Sequence, residues 1–449
     1  MIKRGNSGAH MIQSVFAEYG PGWIFYRGIY LLKIKMLTVL PITEKFFEKK
    51  VHVKQIDLFD MNVIGIKAFL DKISEAQKSE IISTADKAIS GIIKGFSSIE
   101  LDYGEPINWH YNSITKAEGR KNAKWYAIPD FNPKSGDIKV IWEASRLTHF
   151  YYFARAYLIT RDKKYYQAFA AQLESWLLNN PYPYGENYKC GQECSLRMLS
   201  VLINFSIFKA AGLITDKDIR NIKTLIELCY KKVLSNFFYA HKCIKNNHTF
   251  SELCGLIVGA WCCGDELRLK KAYKLLDEEI RDQFSPDGGF MQYSFNYQRF
   301  TLQIIECVMK LTEKTGCQIS ETGRIRNSAL LMYQMQSESG DLPNYGSNDG
   351  SLIFPVSPCG YRDFRPTINA IYSLIEGKRL YHHGDYDEEL LWFGRGINLP
   401  LDKKMRSTVS FHESGFYILR RESSQLIVYL QQFTSRPAHM DQLHVDLWH

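Results

Sequence analysis

Residues 161–180 read RDKKYYQAFAAQLESWLLNN. Phe169, Leu173, Trp176 and Leu177 fall at helical spacing, so they share one face of an α-helix. Asp162 stands where a side chain can cap the helix start, and Pro181 follows where the helix must have ended. The same texture continues downstream. Leu199, Leu202, Ile203 and Ile207 form the next apolar stripe, which Gly212 stops. Thr215 with Asp218 has the form of a capping box, and Ile219, Ile222, Ile226, Cys229 and Val233 follow on one face. Further helices are expected at 249–263, 266–284, 297–315 and 320–338, so helix follows helix through 137–377. Short connections make neighbours antiparallel, which predicts a stack of αα-hairpins. No sequence repeat recurs, which argues against a consensus solenoid.

After Pro400 the texture changes. The stretch 408–433 is rich in β-branched and aromatic residues, among them Val409, Phe411, Phe416, Tyr417, Ile418, Leu426, Ile427, Val428 and Tyr429. Gly415 and Glu422-Ser423-Ser424 punctuate it as turns. Residues 443–448 read as another strand with no partner after it, so the β-domain has only begun where the chain stops, and a truncated polypeptide is expected. The predicted architecture is mainly α, then β. Residues 1–100 form an N-terminal helical extension, 101–400 the helical body, and 401–449 the first strands of a β-domain.

At 449 residues with 45% hydrophobic and 23% charged content, the chain can bury a large core and is not disordered. The net charge of +8 favours encounters with polyanions, but no basic run concentrates it. The apolar stretch 22–40 is interrupted by Arg27, Lys33 and Lys35, so it is no transmembrane span. It reads as an amphipathic helix packed on the body, or as one lying on a membrane surface. The ten cysteines show no paired C-x-x-C spacing and mostly sit in apolar helices, as buried thiols of a reducing compartment do. Together with the absence of an apolar leader after Lys3 and Arg4, they favour the cytoplasm, with a periplasmic or extracellular location left open.

Four polar clusters fall at helix ends or loops, where sites are usually built. Asn246-Asn247-His248 precedes an apolar helix, as a cap would. Asp287-Gly288-Gly289 leads into Gln292, Tyr293, Tyr297 and Arg299, and the two tyrosines, four apart, can share a helix face. Aromatics at that spacing also suit a core. The loop 342–350 carries Asn344, Asn348 and Asp349 between glycines, as a sugar-binding loop or a plain turn would. Finally, His439 and Asp441 point the same way on an extended strand, as a metal or acid–base element or a surface pair.

The order of these motifs carries a resemblance. Trp142-Glu143-x-x-Arg146, Asn247-His248, Gly-Gly…Ser294-x-x-Tyr297-x-Arg299, Leu-Pro…Asp349-Gly350 and Ala438-His439-x-Asp441-Gln442-Leu443 resemble, in order and spacing, the heparinase II/III family of polysaccharide lyases. The resemblance runs from residue 137 to the C-terminus. It implies an incomplete (α/α) toroid followed by an antiparallel β-sandwich, with the site in the cleft between them. It also implies β-elimination on a uronate-containing acidic polysaccharide, with no nucleic-acid partner. Asn247 and His248 would neutralise the uronate carboxylate, as developing enolate-like charge requires. Tyr297 would be base and acid, activated by Arg299 or His439, and His439 could itself be the base. Trp142, Glu143, Arg146, Gln292, Tyr293, Arg299, Asn344, Asn348 and Asp349 would line the substrate path.

Elimination needs no cofactor, but the family's β-domain commonly holds a structural divalent metal (zinc or calcium), and Asp441 matches one ligand position. Gln292 and Gln298 stand where Glu and His are common in the family, and Pro437 where a further His is. Other readings are a non-catalytic polysaccharide-binding or assembly protein, a helical scaffold, and a glycoside hydrolase using Asp341 and Asp349 as paired carboxylates.

Overall fold

The computed structural model describes residues 7–40, 50–58, 60–129, 131–422, 424–430 and 443–448. Helix α1 (Ser7–Val39) is broken at Gly20, whose φ of 74° is left-handed, immediately before Pro21. It lies on the body: Trp23 Nε1 donates to the Cys243 carbonyl (2.8 Å), and Leu37 is buried. Phe25, Leu32 and Val39 stay exposed. Among the described residues, no helix is long and apolar enough to cross a membrane.

Two helices, α2 (Val63–Leu70) and α3 (Glu75–Ile89), precede an antiparallel hairpin of β1 (Ile92–Gly95) and β2 (Ile99–Asp102). The N-terminal hundred residues are therefore not helical throughout, as the sequence reading had them. Ile92-Ile93 before a tight turn was the overlooked strand signal. Two short ladders follow, β3 (Tyr111–Asn112) with β4 (Ala117–Glu118) and β5 (Phe131–Asn132) with β6 (Gly136–Asp137).

The helical body then runs α4 (Ile138–Ser145), α5 (Phe150–Thr160), α6 (Lys164–Asn179), α7 (Gly191–Ala210), α8 (Asp216–Tyr239), α9 (Asn247–Cys263), α10 (Glu266–Gln283), α11 (Phe295–Thr315), α12 (Thr322–Met335), α13 (Arg365–Glu376) and α14 (Glu388–Trp392). These are the hairpins of an incomplete (α/α) toroid. The stop and start signals behave as their chemistry dictates. Asp162 Oδ1 accepts from Lys164 N (2.9 Å), and Thr215 and Asp218 form a reciprocal capping box. Helices α7 and α9 are buried along nearly their whole length, so they have no polar face to read as amphipathic. An early and a late element are clasped by a buried ion pair. Arg155 of α5 donates from Nε and Nη2 to the two carboxylate oxygens of Glu388 in α14 (2.8 and 2.7 Å).

Strands β7 (Val409–Phe411), β8 (Phe416–Arg420), β9 (Gln425–Leu430) and β10 (Leu443–Trp448) form one antiparallel sheet in the order β10-β9-β8-β7. Strand β10 thus pairs with β9, from Leu443 opposite Leu430 to Trp448 opposite Gln425. Phe295 and Tyr345 of the toroid interleave with Phe416 and Tyr429 of the sheet, ring centroids 4.7–5.6 Å apart. Asp287 Oδ2 accepts from the backbone N–H groups of Glu413 (2.8 Å) and Ser414 (3.0 Å). The sheet is held against the end of the toroid where the polar clusters gather.

Candidate active site

Helix α4 starts at Asp137, whose side chain caps it, and carries Lys139, Glu143 and Arg146 along one face. Trp142 ties this helix to the next loop by donating to the Glu186 carbonyl (2.9 Å). Glu143 Oε2 accepts from Phe96 N (2.8 Å) at the β1–β2 turn, and Arg146 pairs with Glu143 and, through two bonds of 2.7 and 2.9 Å, with Glu193. The same turn reaches the loop 342–350, where Ser97 Oγ donates to Gly350 O (2.6 Å).

Ser294 caps α11 by accepting from Tyr297 N (3.2 Å), which fixes the first turn and the place of the tyrosine. The Tyr297 hydroxyl donates to Asp349 Oδ2 (3.0 Å). Asn296 Nδ2 and Ser351 Oγ donate to Asp349 Oδ1 (3.1 and 2.7 Å), and Lys139 Nζ lies 3.6 Å from Oδ2. The Tyr361 hydroxyl shares its one proton between Asn296 Oδ1 and Asn348 Oδ1, and Asn348 in turn donates to Asn344 (3.0 Å). Gly346 makes this loop possible. Its φ is +71°, and a Cβ there would stand 1.9 Å from the Tyr293 carbonyl oxygen.

Asn247 opens α9 and is buried in an amide network. It donates to Gln192 (2.9 Å), accepts from Gln292 (3.0 Å), and gives its backbone N–H to Gln292 as well (3.0 Å). His248 follows, with Nδ1 3.6 Å from Cys190 Sγ.

Electrostatics sort the protons. Burial opposes ionisation of Asp349, but the Ser351 hydroxyl and the charges of Lys139 and Arg146 prevail and hold its carboxyl below the usual range. Burial and the Asp349 carboxylate hold Tyr297 above the ordinary tyrosine value, so it rests protonated. Burial likewise pushes Glu143 up, against the pull of Arg146, and pushes His248 down to about 4. The imidazole is therefore neutral at neutral pH, and the positive charge in the cluster belongs to Lys139 and Arg146.

The structure brings Glu143, Arg146, His248, Tyr297 and Asp349 into one electrostatically coupled cluster, with Asn247 beside His248 and Asn344 and Asn348 at its rim. Other expected residues lie elsewhere. Tyr293 precedes the helix in a left-handed conformation (φ 56°) and packs toward Tyr429, so it does not share a helix face with Tyr297. Arg299 is buried between the rings of Tyr361 (4.3 Å) and Phe364 (4.2 Å) and donates to the Tyr361 carbonyl (2.6 Å). It lines a cavity of about 180 Å³ that shares Glu143 and Arg146 with the cluster but not Tyr297 or His248. Asp341, one half of the hydrolase pair, is tied to Arg362 (2.7 Å). Gln298 is structural, donating to Ser328 Oγ (2.7 Å) and Gly288 O (3.1 Å). His439, Asp441 and Pro437 lie outside the described residues.

Lys139, Gln192, Glu193 and Tyr361 were missed by the sequence reading. Lys139 had a signal, standing four and seven residues before Glu143 and Arg146 on the same helix face. The others come from segments with no motif.

The fold is that of known proteins. Residues 46–336 match the family model described as Heparinase II/III N-terminus. The chain belongs to the heparinase II/III family. Among solved structures it is similar to heparinase III (TM-score 0.50, 16% identity, covering 93% of this chain and 60% of that one). It is similar also to a mutant of the heparan sulfate lyase HepC from Pedobacter heparinus (TM-score 0.50, 16% identity, 84% and 54%). The chain thus spans little more than half the length of these relatives. No curated protein matches it.

Proposed function

We infer that this protein is a polysaccharide lyase that cleaves a uronate-containing polymer by β-elimination. The reaction removes the proton at C5, α to the carboxylate, breaks the C4–O bond and leaves a C4=C5 double bond. The observation that carries this reading is the Tyr297–Asp349 hydrogen bond (3.0 Å), placed among Lys139, Arg146, Asn247 and His248 in a chain of this family. Protonated Tyr297 is a donor for the leaving C4 oxygen. To act as base it must first lose that proton, which Asp349 opposes and Arg146 assists. Asn247 and neutral His248 offer hydrogen bonds to the uronate carboxylate, while Lys139 and Arg146 supply the charge that favours the enolate-like state. His439 would complete the proton transfers from the other side of the sugar.

A second reading is non-catalytic binding of the same polymers, favoured by the way Asp349 holds the Tyr297 proton in place. One experiment separates the two. The protein is incubated with a panel of uronate polysaccharides while the ultraviolet absorbance of unsaturated chain ends is followed. Absorbance with wild type that disappears in Tyr297→Phe supports the lyase. New reducing ends without absorbance mean hydrolysis and overturn it, and retention of a polymer without cleavage supports binding.

A further inference from the structure

Cys190 is far in sequence from His248 and Glu252, which stand four apart on α9, yet the three side chains meet beside the start of that helix. One ligand atom of each, a thiol sulfur, an imidazole nitrogen and a carboxylate oxygen, lies within 4.8 Å of the other two. We propose that these three side chains form a binding site for one divalent transition metal, with zinc the ion their donor set fits best.

Three observations carry it. First, the spacing is that of ligands. Zinc bonds of about 2.3 Å to sulfur and about 2.0–2.1 Å to nitrogen, at a tetrahedral angle, put the two atoms about 3.6 Å apart. Cys190 Sγ and His248 Nδ1 are 3.6 Å apart. Second, Glu252 is 1% exposed, and while its Oε1 accepts from Asn236 Nδ2 (2.7 Å), its Oε2 takes no hydrogen bond among the described residues. A buried carboxylate oxygen without a partner is costly, and a cation is the partner that removes that cost.

Third, the backbone beside Cys190 is cut away to admit the carboxylate. A Cβ on Gly191 would stand 2.4 Å from Glu252 Cδ and 2.6 Å from each of its oxygens.

One divalent ion, one thiolate, one carboxylate and a neutral imidazole sum to zero, and the buried Lys232 side chain, whose charge acts on Glu252 and Cys190, stands beside them. Thiolate, neutral imidazole and carboxylate are the ligating forms, so loading the site is coupled to proton release and is favoured by rising pH. Mixed sulfur, nitrogen and oxygen donors select zinc over magnesium or calcium, which take oxygen. Three protein ligands leave a fourth position for water or a ligand, as in catalytic rather than structural zinc sites. The site is separate from the metal expected in the β-domain and does not depend on the lyase reading.

The test is titration of the metal-free protein with Co²⁺, following the thiolate-to-cobalt charge-transfer band in the near ultraviolet. One equivalent should develop the band, and one equivalent of Zn²⁺ should abolish it. Cys190→Ser should lose the band outright, and Glu252→Gln should weaken Co²⁺ binding by about 10-fold or more. Cys263→Ser, at a half-buried thiol outside the cluster, should leave it unchanged and shows that any loss is local. Absence of a stoichiometric band in folded wild type, or its survival in Cys190→Ser, overturns the proposal. Polysaccharide cleavage is not part of the readout, so failure here leaves the lyase reading standing, and the converse holds.

Discussion

The Tyr297 hydroxyl donates its hydrogen bond to Asp349, a carboxylate held ionised by Ser351, Lys139 and Arg146. The pair sets which proton moves at what cost. Removing the negative charge lowers the cost of forming a tyrosinate. Asp349→Asn should therefore shift the alkaline limb of the kcat/KM pH profile to lower pH. Tyr297→Phe should lower kcat by about 10²–10⁴-fold, the range for losing one general acid–base group. Profiles recorded on the best polymer check both, and an unmoved alkaline limb in Asp349→Asn would show that Tyr297 is not the titrating group.

A second prediction concerns acid stability. His149 is buried, bonded through Nε2 to Gln172 (2.7 Å), and desolvation lowers its pKa from 6.5 to about 4. Its folded value lies below its unfolded value, so its contribution is fully present above pH 6.5 and is lost as pH falls toward 4. The loss amounts to about 3 kcal/mol at about 1.4 kcal/mol per unit. His149→Gln should flatten the melting temperature across that window, whatever its effect at pH 8. Thermal melts at half-unit steps measure the slope.

Glu306 gives the opposite sign. Its buried carboxyl is pushed well up, by desolvation first and by Glu389 second. Stability tied to the protonated form is full below pH 4.5 and lost as pH rises through the folded value. Glu306→Gln, which keeps the shape without a proton to lose, should melt higher than wild type at alkaline pH. The gain should shrink on the acid side.

The clasp between Arg155 and Glu388 should show the asymmetry of buried ion pairs. Arg155→Met alone should cost about 3–5 kcal/mol by stranding Glu388, whereas Arg155→Met with Glu388→Leu should recover most of that loss. Denaturant midpoints of the two variants decide it, and equal losses would mean that the pair contributes only packing.

At Gly346, alanine meets both a left-handed φ and the Tyr293 carbonyl. Gly346→Ala should strain the loop by about 1–3 kcal/mol and displace Asp349. Cleavage should fall more than the melting temperature does, because the damage is local to the loop.

Much of the toroid was legible because amphipathic helices announce their buried face: Phe169, Leu173 and Trp176 are all buried as their spacing predicts. Capping chemistry at Asp162, Thr215 and Asn246 was legible because it is local in sequence. What escaped was long-range or conformational. Nothing in the order of residues says that Tyr293 takes a left-handed backbone and leaves the face of Tyr297, or that Arg299 is sequestered between two rings. Nor does spacing bring Cys190 to His248 across 58 residues. The β1–β2 hairpin was lost inside a region read as helical, although its turn holds Glu143 and the 342–350 loop in place.

The clasp also has a consequence in time. Arg155 and Glu388 are separated by 233 residues, so during synthesis the guanidinium waits for its partner while the rest of the ring is made. At about 5–20 residues per second that interval is about 10–50 s. The nascent toroid passes it as an unclosed arc, with a charge destined for the interior still in water and the inner faces of its first helices uncovered. The Arg155–Glu388 contact cannot form before Glu388 is made, so its earliest moment is set by translation rather than by helix formation, and a chaperone that shields the arc has that interval in which to act.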